Sequence, residues 1–176
     1  MMQYLNKKRA FILIFLMCYG SVGYALYAEY YQSMIPCPLC IAERVILIVT
    51  GTLALIFALH NPRNFLSRIY GIIIAICAIS GLKITAHHIW LINLPADQQP
   101  LSCGMPLAVV YNKLPLTGFL KYILAGDAEC TKVNWTIFNI SVPTVLIVWF
   151  TLILILSGYI IFTKSRNKRN TFFIQD

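Results

Sequence analysis

Hydrophobic and polar positions along this chain are segregated into blocks rather than alternated. Four apolar runs stand out, at residues 10–28, 41–59, 69–86 and 142–162. Each is near the length of about 20 residues that a helix needs to cross the hydrocarbon of a bilayer. Polar interruptions inside them are few: Glu43 and Arg44 in the opening turn of the second run, and Lys83 near the far end of the third, where its stem can snorkel outward. A soluble core has no use for so much continuous apolar length. The pattern predicts one all-α integral membrane domain over residues 1–176, a four-helix bundle with outer loops at about 29–40 and 87–141.

The connections support that reading. "HNPRN" at His60–Asn64 forms a tight reversal between the second and third runs. The long second loop carries Pro95, Pro100, Pro106 and Pro115, yet one stretch within it is helical in pattern. "PLTGFLKYILAG" starts on Pro115 and stops at Gly126, a proline start and a glycine stop. Leu116, Phe119, Leu120 and Ile123 recur at i, i+3, i+4 and i+7, so they share a face. A short amphipathic helix lying in the membrane interface is the expectation. Tyr24, Tyr27, Tyr30, Tyr31 and Trp90 gather at the ends of runs one and three, where aromatic belts form.

Composition agrees: 59% of the residues are hydrophobic and 11% charged, against about a quarter charged in soluble domains. The net charge of +8 raises nucleic acid as a partner, but its distribution removes it. Lys7, Lys8, Arg9, Arg63, Arg68, Lys164, Arg166, Lys168 and Arg169, most of the 14 basic residues, fall on one side if the runs alternate. Glu29, Glu43, Asp97, Asp127 and Glu129 fall on the other. The positive-inside rule then places both termini in the cytoplasm, and the basic tail reads as a topology anchor against the lipid bilayer. No aromatics interleave with the basic residues as a nucleic-acid face requires. "GYA" at Gly23–Ala25 resembles a signal-cleavage site, but the apolar run continues past it, so a retained first helix is expected.

The candidate chemistry is in the cysteines. Cys18 and Cys77 lie mid-run and read as packing. Cys37, Cys40, Cys103 and Cys130 all fall on the outer side, which points to disulfides, paired Cys37–Cys40 with Cys103–Cys130 or crossed. A bridge from Cys103 to Cys130 would staple the long loop at about 3 kcal/mol on the chain-entropy model. A Cys-x-x-Cys bridge closes too small a loop to be a staple, so redox chemistry fits that pair better. Zinc sites usually join two closely spaced couples, and Cys103 is far from Cys130, so no metal is expected. Pro36 and Pro38 lead into a helix whose first turn holds Cys40, with Arg44 one turn on. The helix N-terminus and the guanidinium both favour a thiolate at Cys40; the plainer reading, in which Arg44 only pairs with Glu43 or a lipid phosphate, leaves a dithiol facing the bilayer unexplained. A thiolate at the lipid boundary can reach a lipid-soluble electron acceptor.

"CPLCIAER" at Cys37–Arg44, with Gln32 before it, His88 after the third run, the Cys103 and Cys130 pair, Leu114–Leu116, Trp135 and Pro143, resembles the disulfide bond formation protein B (DsbB) family over nearly the whole chain. The resemblance implies a thiol oxidase of the bacterial inner membrane that reoxidises a periplasmic thioredoxin-fold partner similar to DsbA. That partner attacks Cys103 of a Cys103–Cys130 disulfide, and "QPLSCGMP" around Cys103 is a strip suited to docking it. Electrons pass through a transient Cys37–Cys130 bridge to Cys37 and Cys40, and from Cys40 to ubiquinone or menaquinone from the membrane quinone pool. Arg44, Gln32 and His88 are the implied quinone-binding residues, with His87 as an alternative to His88. Two other readings stand beside it. One is a quinone reductase like the vitamin K epoxide reductases, whose cysteine pair lies late in the chain rather than at the second span. The other is a four-span scaffold with stapled outer loops, which leaves Cys37 and Cys40 without a role.

Overall fold

The structure is a computed structural model that describes residues 2–31, 36–60, 64–95, 97–98, 109–110, 113, 115–126, 130, 136–137 and 140–163. Its elements are α1 (Met2–Tyr31), α2 (Pro38–His60), α3 (Asn64–Ile92), α4 (Leu116–Ala125), a strand pair β1 (Thr136–Ile137) and β2 (Ile140–Ser141), and α5 (Val142–Phe162). Lys7–Tyr31, Pro38–His60, Phe65–Ile92 and Val142–Phe162 are long and apolar enough to cross a membrane. The shortest, at 21 residues, is about 31 Å long at 1.5 Å per residue, close to the hydrocarbon thickness of about 30 Å. This is a multi-pass, four-helix membrane protein.

The helices overrun the apolar blocks. α1 begins at Met2, and α3 runs to Ile92 rather than stopping near residue 86, so His87 and His88 stand on a helix and not in a loop. The α3 helix ends where Asn93 turns back, its side-chain amide donating to the Ile89 carbonyl at 2.8 Å, two residues before Pro95. Pro38 at the start of α2 and Pro143 in the first turn of α5 occupy positions where a missing N–H costs nothing. The two-residue antiparallel ladder, pairing Thr136 with Ser141 and Ile137 with Ile140, leads straight into α5.

The bundle pairs α1 with α2 and α3 with α5, and α2 packs on α3 to join the pairs. Its core is Phe11, Ile14 and Cys18 from α1, Leu47 and Ala54 from α2, Ile74 and Ala78 from α3, and Phe150 and Ile153 from α5. Small residues set the close approaches. A side chain at Gly81 would run into the Phe150 ring, so only glycine lets α3 and α5 meet there. Leu16, Val45, Ile56, Ile76 and Ile155 are exposed, giving the outer surface the apolar character that lipid requires.

In the second outer segment, α4 occupies the predicted stretch, capped by Pro115 before it and by Gly126 after it. Its apolar residues divide between two faces. Phe119 and Ile123 are half-buried, and Leu116, Leu120 and Leu124 form an exposed stripe. The first pair is drawn out of the predicted single face because α4 packs against α2.

Candidate dithiol site and adjoining cavity

The local sequence builds the cysteine pair into a helix cap. The Ile41 N–H donates to the Cys37 carbonyl at 3.1 Å, the first hydrogen bond of α2. Cys37 is therefore the N-cap and Cys40 the third helical residue. An N-cap normally offers a side-chain oxygen to the backbone N–H at that third position. Here the Cys37 sulfur does it, accepting from the Cys40 N–H at 3.2 Å. The same turn brings the two sulfurs to 2.8 Å, with the Cys37 S–H donating to the Cys40 sulfur. The two sulfurs are not covalently joined in this structure.

Three further elements close on this turn. Cys130, fully buried, hydrogen-bonds Cys37. Leu39 and Leu91 complete a small apolar cluster with Cys37 and Cys130, separate from the main core. Gly126, four residues before Cys130, holds the chain against that cluster. It takes a φ of 73°, and an added Cβ would come within 2.8 Å of Leu91 and 2.9 Å of Leu39. Only glycine meets both demands, a left-handed backbone and contact this close. His87 adds a second tie, its Nε2 lying 3.3 Å from the Ala125 carbonyl while its ring stacks on Trp90. Together these seat the end of α4 on α2 and α3 and deliver Cys130 to Cys37.

The charged residues sort into two pairs. The Arg44 Nη1 donates to the Glu29 Oε2 at 2.7 Å, joining α2 to the end of α1. Its Nε is buried without a partner among the described residues. Glu43 is only 2% exposed and lies 3.2 Å from the Nδ1 of the fully buried His88. The His88 Nε2 is 3.8 Å from the Cys37 sulfur. The partner of Arg44 is thus Glu29 and not the Glu43 or lipid phosphate of the plainer reading, because adjacent helical positions point about 100° apart and Glu43 turns inward to α3. Hydrogen bonding with Cys130 and with Cys40, together with burial, pushes the Cys37 thiol above the ordinary thiol range.

A cavity of about 560 Å³ opens between α1, α2 and α5. Leu16, Gly20 and Tyr24 line it from α1 and Val142, Leu146 and Trp149 from α5, and α2 presents Cys40, Glu43 and Arg44. The wall is apolar, and its polar groups converge at one end, as in small-molecule sites of this size. Of the residues singled out in the sequence, Cys37, Cys40, Cys130, Arg44 and His88 converge here. His88 meets Cys37 and is not part of the cavity lining. Cys103, Gln32 and Trp135 lie outside the described residues. Sequence reasoning passed over Glu29 as the partner of Arg44 and Glu43 as the partner of His88. For Glu43 the available signal was an acid within an apolar run, where an uncompensated charge is costly.

Three sulfurs meet in one dry cluster, one of them brought from a distant loop, and an apolar cavity lies beside Cys40, an arrangement suited to thiol–disulfide exchange. Fold and site together define a membrane thiol–disulfide oxidoreductase. The comparisons agree and narrow the class. The model of the family described as disulfide bond formation protein DsbB matches residues 7–160. Proteins named disulfide bond formation protein B are similar along most of their length: 36% identity in Saccharophagus degradans, over 78% of this chain and 82% of that one; 32% in Chromobacterium violaceum, over 92% and 97%; and 38% in Acinetobacter baylyi, over 77% and 79%. The chain belongs to the DsbB family, and the scaffold and epoxide-reductase readings give way to it.

Proposed function

We propose that this chain, as a single integral membrane domain of the bacterial inner membrane with both termini cytoplasmic, is a protein-dithiol:quinone oxidoreductase that reoxidises a periplasmic DsbA-like thioredoxin-fold partner. The observation that carries the reading is the position of Cys40: its pair partner Cys37 touches Cys130, and Cys40 itself lines the apolar cavity.

The reaction begins at Cys103–Cys130. A partner thiolate attacks Cys103, the mixed disulfide resolves within the partner, and the partner leaves oxidised while Cys103 and Cys130 are left as a dithiol. The Cys130 thiolate next attacks Cys37 of the Cys37–Cys40 disulfide and expels Cys40 as a thiolate. Cys103 resolves the Cys37–Cys130 bridge, restoring Cys103–Cys130 and leaving Cys37 and Cys40 reduced. Gly126 and His87 supply the reach for the middle step by seating the loop on α2 and α3. Negative charge on Cys40 is favoured by the Cys37 S–H that it accepts and by its place in the first turn of α2.

The cavity fits a quinone by its chemistry: an apolar wall for the ring and tail, and a buried Arg44 Nε that has no partner among the described residues, for a carbonyl oxygen. When bound, a ubiquinone or menaquinone supplies a two-electron, two-proton acceptor. Arg44, braced by Glu29, orients and holds it, and Gln32 adds a polar contact. His88 serves the cysteines, fixed by Glu43 against Cys37. The exposed Leu116, Leu120 and Leu124 stripe of α4 rests on the bilayer surface.

The test combines the purified chain, a reduced DsbA-like dithiol and each quinone, and follows quinol formation optically. Turnover with at least one quinone, lost in Cys40→Ser, is the expected result. No turnover with either quinone overturns the proposal.

A further inference from the structure

In the dithiol state, Cys37 Sγ, Cys40 Sγ and one ring nitrogen of His88 all lie within 4.8 Å of one another. These are two soft sulfur donors and one imidazole, buried or nearly so, on the ends of two helices. A second, independent feature is the state of the histidine. The Glu43 carboxylate faces Nδ1 at 3.2 Å, which fixes the proton on that nitrogen and leaves the Nε2 lone pair directed at Cys37, 3.8 Å away. A carboxylate behind the ring is the usual support of a metal-ligating histidine. We propose that the reduced Cys37–Cys40 pair and His88 form a binding site for one thiophilic divalent cation of the zinc type.

The charge and the geometry both suit such an ion. Two thiolates neutralise a divalent cation, so the buried site gains no net charge, and the two thiol protons leave to solvent on binding. Tetrahedral zinc, with bonds of about 2.3 Å to sulfur and about 2.1 Å to nitrogen, separates its ligand atoms by roughly 3.6–3.8 Å. The Cys37–His88 distance of 3.8 Å already matches. The sulfurs, now 2.8 Å apart, must part by about 1 Å, within the range of their side-chain rotations. Cys130 packs against Cys37 in the same buried cluster. The disulfide form has no thiolates to offer, so the site exists only in the reduced state, and a bound cation holds the chain there. Spacing along the chain hides the site, because the histidine is far from the cysteines and joins them only through the packing of α3 on α2.

The experiment uses the full chain in detergent, reduced with a phosphine rather than a thiol, and titrated with Co²⁺ alone. One equivalent is expected to bind the reduced chain, with sulfur-to-cobalt charge-transfer absorption and the visible bands of a four-coordinate site, and to be displaced by Zn²⁺. The oxidised chain is expected to show neither. Glu43→Gln and His88→Gln are each expected to weaken binding by about ten-fold or more. Saturating Zn²⁺ is also expected to protect Cys37 and Cys40 from alkylation in the unsubstituted chain, a readout that needs no variant to fold. Absence of the cobalt spectrum, equal binding by the oxidised chain, unchanged affinity in His88→Gln, or alkylation indifferent to zinc each overturns the proposal. All of these readouts are independent of quinone turnover, so failure here leaves the oxidase assignment untouched.

Discussion

Cys37 and Cys40 are the same residue type three positions apart, and their neighbours make them different. Cys37 is hydrogen-bonded with Cys130 and Cys40 and buried, so its thiol is pushed up and stays protonated at neutral pH. Iodoacetamide, which reacts with the thiolate, is expected to modify Cys37 of the reduced chain at pH 8 more slowly than an ordinary cysteine. Cys130→Ala removes the largest cause of the shift, so the midpoint falls back toward the ordinary range and modification at pH 8 speeds up. Quantitative mass spectrometry of the alkylated peptides reads both. A Cys37 rate unmoved by Cys130→Ala contradicts the contact. Arg44 offers a second case at this scale. Its Nε, without a partner among the described residues, is the donor proposed for a quinone oxygen, and hydrogen bonds from charged groups contribute about 1.5–3 kcal/mol. Arg44→Ala is therefore expected to raise the quinone KM by about ten-fold or more. Arg44→Lys keeps the charge without the planar fork, and its KM is expected to fall between the two.

Among the elements, α4 and its stop at Gly126 connect the loop to the chemistry. Gly126→Ala places a side chain in the left-handed region, at a cost of about 1–2 kcal/mol, and also pushes on Leu39 and Leu91. The expected outcome is a lower unfolding midpoint together with slower passage of electrons from Cys130 to Cys37, seen in single-turnover quench experiments as accumulation of reduced Cys103 and Cys130. Unchanged transfer in that variant would mean that the docking of α4 is not what delivers Cys130. The exposed stripe of α4 has its own test. Leu116→Glu with Leu120→Glu removes its attraction to lipid and is expected to slow turnover in nanodiscs more than in detergent. Equal turnover of variant and parent in nanodiscs would separate α4 from the membrane surface.

Across the whole molecule, the close approach of α3 and α5 at Gly81 decides how tightly one half of the bundle shuts. Gly81→Val forces its side chain into Phe150, and overpacking of this kind costs about 1–3 kcal/mol. Because this contact belongs to the main core and not to the cluster around Cys37, stability is expected to fall with the quinone KM little changed; denaturant titration beside steady-state kinetics distinguishes the two effects. The proposed orientation is open to the same directness. Single cysteines placed at either end of a chain whose six native cysteines are all replaced by serine are expected to react with a membrane-impermeant maleimide only after the inner membrane is opened.

The sequence by itself determined the spans and the reactive pair. Apolar length dictates four membrane helices, because in lipid only a helix satisfies its own backbone, and "CPLC" ahead of an apolar run dictates a dithiol in a helix cap. The α4 helix was legible from its proline start, glycine stop and apolar spacing, although its packing on α2 split the face that the spacing joined. Its helix ends were less legible. His87 and His88 read as the end of a span because a polar pair interrupts the apolar run, yet α3 continues to Ile92 since Glu43 and Cys37 satisfy the buried imidazole. The partners were decided only by tertiary structure. Spacing put Arg44 one turn from Cys40, but nothing local could assign Glu29 to Arg44, Glu43 to His88 or Cys130 to Cys37. Those pairings exist because buried polar groups must find one another across helices, and which of them meet depends on how the helices are rotated and docked, a property of the bundle and of no single segment.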